Sequence, residues 1–284
     1  MTLCPLAGLM AELQWPVEDH IPYQISSTFG ESRIDHFHNG LDIPGKNLKI
    51  RPLKKGRLSW YKKTVTRSGE LPFGGGKTVV LDHGDIQTGY MHLTTINEKL
   101  IQSKTVSNDK YLGTSGNTGH SGGAHIHFFL YSPEKKKFFN PLSQLSNLHY
   151  KDEKPPEVRG FAVKLPDSIE QVNLTRPLVM SKEFPLYAQL VDRGLFSERW
   201  GVYELSVFHK SSSEKPLFHI VFDTLHFSKN RWRASNGKTF DQVYYQNWYY
   251  LGRGFKASRE LKWKARGYSG PSSEFNYSLN IRDR

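Results

Sequence analysis

The chain has a single cysteine, Cys4, among its 284 residues. That excludes an internal disulfide framework and a zinc site built from several thiolates. No apolar run reaches the roughly 18–20 residues that a bilayer-crossing helix requires. Amphipathic helical periodicity is also scarce. Only Pro141 to Leu148 (PLSQLSNL) carries the pattern of a short helical turn. There is no internal repeat and no low-complexity tract. Aromatic residues are plentiful, with 17 Phe, 14 Tyr and 6 Trp in a composition that is 37% hydrophobic. This is enough to fill real cores and excludes wholesale disorder. At roughly 100–200 residues per domain, the length predicts two domains. Basic residues outnumber acidic ones 39 to 27, for a net charge of +12. The excess is spread along the chain, +5 in residues 1–150 and +7 in residues 151–284. Such a diffuse field favours polyanionic surroundings without choosing among wall polymer, anionic membrane and nucleic acid.

Residues 1–14 open apolar and low in charge (MTLCPLAGLMAEL), with small residues at Ala7-Gly8 and Ala11 near a cleavage-like position. They read either as the rear of a secretory signal lacking its basic start or as an N-terminal strand. Residues 15–150 are glycine-rich, with strand candidates at Val79 to Leu81, Thr88 to Leu93 and Ala124 to Tyr131. Residues 151–156 (KDEKPP) have linker composition. Beyond them, Leu186 to Val191, Val202 to His209, Phe218 to Phe222 and Phe275 to Ile281 alternate as strands, with a turn at Ser211-Ser212-Ser213. The expected class is all-β: short strands between glycine clusters over 15–150 and a β-sandwich over 157–284.

Two clusters have the residue types of a metal site. In the first, Asp35 to Pro44 (DHFHNGLDIP), His38 and Asp42 stand four apart, and Gly40 and Pro44 weigh against a helix. The second is the H-x-H of His125-Ile126-His127 within a run of strand formers. Period two puts both imidazoles on one face of a strand, with Ile126 and Phe128 on the other. Rings about 7 Å apart do not readily both ligate one ion with bonds of about 2.0–2.1 Å, so one ligand and one acid–base neighbour is the natural division. Together the clusters supply two His and one carboxylate, the catalytic-zinc pattern that leaves a position open. His36 competes with His38 as a ligand, but Gly40, not a carboxylate, lies four residues beyond it.

The segment His38 to Ile43 (HNGLDI) resembles the H-x-G-[IVL]-D-[IL] signature of the lysostaphin-type zinc endopeptidases, whose substrate is bacterial peptidoglycan. Four further segments follow the same order: Phe29-Gly30 ahead of the signature, Gly76 to His83 (GKTVVLDH), Tyr90 to Leu93 (YMHL) and Leu112 to His127 (LGTSGNTGHSGGAHIH). The resemblance spans roughly residues 25–145 and implies a compact, mostly antiparallel β domain over 15–150. It implies that His38, Asp42 and His127 are metal ligands and that His125 and His92 are catalytic. It also implies one Zn2+ per chain, a peptidoglycan peptide as substrate, and residence in the cell envelope, periplasmic or secreted. His83 falls outside the implied metal shell, where packing or hydrogen bonding is its expected job. Three departures stand out. Phe128-Phe129 replaces the family's Phe-Glu after H-x-H, Ser121 to Ala124 lacks the usual Thr and Pro, and Thr64 to Gly76 is long for a hairpin. Residues 157–284 more loosely resemble the immunoglobulin-like domains appended to some of these peptidases. The aromatic group Tyr244, Tyr245, Trp248, Tyr249 and Tyr250 suits either packing or stacking on sugar or base.

The function expected is therefore hydrolysis of peptide cross-links in peptidoglycan, with anionic wall polymer as an added partner. The alternative is a catalytically silent relative that binds wall or regulates other hydrolases. Nucleic acid is not an expected partner, because no recognisable motif or localised basic stripe is present.

Overall fold

The computed structural model describes residues 14–17, 24–63, 74–145, 152–172, 178–179, 184–194, 199–211, 215–252, 259–279 and 281–282. The apolar N-terminus with Cys4, residues 64–73 of the long hairpin segment, Lys151 of the linker and Ser212-Ser213 of the expected turn lie outside them. The chain forms two compact units. One comprises residues 1–28 and 39–150, the other residues 29–38 and 151–284.

The first unit is antiparallel β throughout its main sheet. The pairing runs from Thr105–Val106 to Gly56–Lys62, Thr78–Asp82, Gln87–Met91 and His125–Ser132, and on to Lys137–Phe139. Leu41–Pro44 also pairs with His125–Ser132. A smaller sheet joins Lys49–Ile50, Gly113–Thr114 and Thr95–Ile96. Alternation decides which side chains enter the core. Val79 and Leu81 are fully buried from one strand, and Ile126 and Phe128 from another. Tyr90, also fully buried, packs on Phe128 at 5.3 Å and accepts the Leu53 N–H at 2.7 Å, so it is a core residue. The helix Glu98–Ser103 was not legible in the sequence. It starts at Asn97, whose side chain accepts the Lys99 N–H, and stops at Lys104 with φ 57°. Six residues are too few to display helical periodicity.

The second unit contains two antiparallel sheets. In one, Glu157–Lys164 and Leu186–Arg193 pair centrally, flanked by Ile169–Gln171 on one side and Trp248–Gly252 on the other. The other runs Phe218–Val221, Glu204–His209, Arg259–Arg266 and Ser272–Leu279. Phe161 meets Trp263 edge-on at 4.7 Å, and Tyr250 meets Phe218 at 6.2 Å, so rings from one sheet contact rings from the other. The immunoglobulin-like designation for this pair of sheets stays a proposal. Tyr244 and Tyr249 are buried with their rings 4.8 Å apart, whereas Tyr245 and Tyr250 are half-buried. Packing therefore accounts for Tyr244 and Tyr249.

The second unit also buries a carboxyl pair. A Cβ placed on Gly267 would fall 1.9 Å from Asp152 Oδ2 and 2.1 Å from Asp192 Oδ2, so the two carboxyls converge on this glycine. Burial pushes Asp192 up to about 8, helped by the neighbouring Asp152 and by Glu31. Burial also raises Asp152, to about 6, against the pull of the Gly270, Lys154 and Ser269 backbone N–H groups. Buried side by side, the two carboxyls together hold a proton more tightly than free carboxyls do. Both groups bind protons more tightly in the folded state, so their contribution is complete below the ordinary value of 3.8 and is lost as pH rises towards about 8. Asp192→Asn keeps an acceptor for the Arg193 N–H, which Asp192 Oδ1 takes at 3.0 Å. The variant is expected to melt a few °C above wild type at pH 8–9. Near pH 4, where wild type is protonated too, the advantage should vanish. Melting curves across pH check this, and an advantage that does not depend on pH would contradict the shared proton.

Candidate metal centre and active site

Strand pairing brings the two sequence clusters together. In the antiparallel register Asp42 lies directly opposite His127, and Pro44 lies opposite His125. The Asp42 backbone is clamped on its other edge, donating to Ser27 O at 3.0 Å and accepting from the Ser26 N–H at 2.9 Å. His38 stands before the turn at Asn39-Gly40. Its N–H donates to Glu31 O and its carbonyl accepts from the Gly30 N–H, each at 2.8 Å.

His38, Asp42 and His127 are 4%, 7% and 7% exposed, and each offers one ligand atom within 4.8 Å of the others. His127 Nδ1 lies 2.9 Å from Asp42 Oδ1. A tetrahedral ion with bonds of about 2.0–2.1 Å spaces its ligands by about 3.4 Å, which these separations bracket. Two imidazoles and a carboxylate are hard-to-borderline donors of the kind zinc takes. The residues present fit the ion that the sequence implied.

His36, the competing ligand, has an exposed ring turned to Asp35 at 2.6 Å and is not in the group. His125 and His92 flank it. His125 Nε2 is 3.7 Å from Asp42 Oδ1, and the His92 ring lies 4.7 Å from His125 and 6.1 Å from His127. In both flanking rings Nδ1–H donates to a backbone carbonyl: His125 to Gly123 at 2.9 Å, His92 to Thr118 at 2.8 Å. Those bonds fix the ring planes through Nδ1. His92 has φ 62°, an uncommon backbone for a non-glycine residue and one that clusters at functional sites. Its N–H is held by Gly75 O at 2.8 Å, and Thr118 braces the same turn through Oγ1, which donates to Leu93 O at 2.9 Å.

His83 bonds Lys55 O through Nδ1 and Thr88 Oγ1 through Nε2, both at 2.9 Å, and burial lowers its pKa. It ties strands together outside the ligand group. Phe129, standing where the family has Glu, lies on the His127 face with rings 6.3 Å apart. It fills the space a side chain at Gly89 would need, since a Cβ there would come within 1.9 Å of its ring.

Sequence reasoning did not single out Thr118, Gly123 or Gly40 as supports for the site. Thr118 and Gly123 act through their carbonyls, which side-chain identity does not reveal, although both lie in the Leu112 to His127 segment. Gly40 has a steric role. A Cβ there would come within 2.6 Å of His127 Cε1 and Nε2. Gly40→Ala is therefore expected to displace the His127 ring and weaken metal binding by about 10–100-fold, the scale of a lost supporting contact. Competition with a chromophoric chelator measures this, and wild-type affinity in Gly40→Ala would disprove the steric role.

Residues 36–141 match the model of Peptidase family M23. Over that stretch the chain is similar to family M23, the lysostaphin-type peptidases. Among solved structures, one similar chain is a Pseudomonas aeruginosa protein described as an M23 peptidase, at 30% identity, covering 42% of this chain and 44% of that one, with a TM-score of 0.32. Another is a zinc-containing peptidase from Vibrio cholerae, at 25% identity, 43% and 37% coverage and a TM-score of 0.35. A third is the catalytic domain of lysostaphin from Staphylococcus simulans, at 22% identity, 44% and 92% coverage and a TM-score of 0.36. The chain thus spans less than half the length of the first two. With TM-scores this low, the likeness rests on the M23 match and the motifs. No curated protein matches the chain. No helix among the described residues is long and apolar enough to cross a membrane.

Proposed function

We propose that the chain is a zinc-dependent endopeptidase that hydrolyses peptide cross-links of bacterial peptidoglycan, acting in the cell envelope. The observation that carries this reading is the buried His38–Asp42–His127 group with two oriented imidazoles, His125 and His92, beside it. When bound there, zinc supplies Lewis acidity, polarising a scissile carbonyl and acidifying water. His38, Asp42 and His127 hold the ion. His125 Nε2, its ring locked through Nδ1, takes the proton of the attacking water and returns it to the leaving amine. His92, its ring turned by Thr118 O, presents Nε2 to the oxygen on which negative charge develops.

The test is turnover of purified sacculi by the full chain, with metal content measured on the same sample. The expected result is one zinc per chain and release of soluble peptide. Activity should be abolished by a chelator and restored by zinc. Full zinc occupancy without turnover of sacculi or of soluble cross-linked peptides would instead support the silent relative.

A further inference from the structure

Residues 29–38 form a small hairpin closed at its base by the reciprocal bonds between His38 and the Gly30–Glu31 backbone. Ser32 bridges Phe37, and the Arg33 N–H donates to His36 O at 2.8 Å. The tip, at Ile34 with φ 76°, is exposed. The base is gripped. Phe37, 4% exposed, sits edge-on to Phe222 at 5.9 Å, Phe240 at 5.3 Å and Tyr244 at 6.0 Å. Tyr244 Oη donates to Gly30 O at 3.0 Å, and the Gly201 N–H donates to Glu31 Oε1 at 2.9 Å. Gly30 has φ 87°, and a Cβ there would come within 2.3 Å of the Phe222 ring, so only glycine fits. Every one of these partners lies far along the chain, inside the second unit.

His38 follows Phe37 directly, and its backbone amide and carbonyl are both bonded within the hairpin. We propose that Phe37, clamped by Phe222, Phe240 and Tyr244, is a positioning residue that presets His38 for the metal. The proposal rests on the metal reading above. A ligand held in place before binding spares the ordering cost at the moment of binding, so loosening the clamp should appear as lost affinity.

The experiment uses the full chain and cobalt(II), whose visible spectrum reports ligand number and geometry. Phe37→Ala is expected to weaken cobalt binding by about 10–100-fold and to alter the spectrum, with Phe37→Leu recovering most of the affinity. Leu205→Ala serves as the control for general destabilisation. Leu205 is fully buried in the same unit, on the strand paired through Ile220 and Ala265. This variant should lower the melting temperature yet leave affinity within about twofold of wild type. Wild-type affinity and spectrum in folded Phe37→Ala would overturn the proposal. So would an equal loss in Leu205→Ala. Should Phe37→Ala fail to fold, Tyr244→Phe, which removes the bond to Gly30 O, is expected to weaken cobalt binding measurably, and unchanged affinity overturns the proposal. A wild-type chain that takes up neither cobalt nor zinc overturns the metal reading itself, and this inference with it.

Discussion

Asp42→Ala is expected to empty the site of zinc and to abolish hydrolysis. Asp42 brings the only carboxylate of the group, and its Oδ1 lies within 4 Å of both His127 Nδ1 and His125 Nε2. Without it, two imidazoles remain, too few to hold zinc against buffer and chelators. The loss should exceed the about 10–100-fold that an outer support costs. The backbone bonds of Asp42 to Ser26 and Ser27 do not involve the side chain, so the strand should persist and circular dichroism should stay native. Mass-spectrometric metal analysis of the purified variant is the direct measurement. Full occupancy in Asp42→Ala would remove this residue from the ligand set.

His125→Ala is expected to do the opposite, retaining zinc while losing hydrolysis by about 10²–10⁴-fold, the usual scale for an acid–base group. The ring touches the metal group only through Nε2, 3.7 Å from Asp42 Oδ1, and spends Nδ1 on Gly123 O. His92→Ala should behave alike, because its ring is turned by Thr118 O and stands beside His125. The double variant is expected to fall little further than either single one, since the two residues serve one proton-transfer and charge-stabilising step. Rates on a soluble cross-linked peptide, paired with zinc content, separate this outcome from general damage. If His125→Ala lost the metal while His127→Ala kept it, the roles within the H-x-H would be exchanged.

Local pattern made the all-β class and the position of the candidate site legible, because period-two alternation and ligand spacing are properties of short segments. Val79 to Leu81, Thr88 to Leu93 and Ala124 to Tyr131 all fall on strands of the main sheet, give or take a residue or two. His38 and Asp42 at spacing four, and His125 and His127 at spacing two, marked the candidate site before any contact was known. The short helices Glu98–Ser103 and Phe240–Val243 were not legible, since neither is long enough to show a helical stripe. The sequence by itself determined which residue types could bind zinc and the order in which they occur. Tertiary structure decided the rest. Cross-strand register set Asp42 against His127, and the carbonyls of Gly123 and Thr118 turned the flanking rings. Only folding turned His36 out beside Asp35 while burying His38. It alone packed Phe37 among Phe222, Phe240 and Tyr244, assigning residues 29–38 to the C-terminal unit. The physical reason is that these contacts join residues far apart in the chain, and no local periodicity encodes which distant ring a phenylalanine will meet.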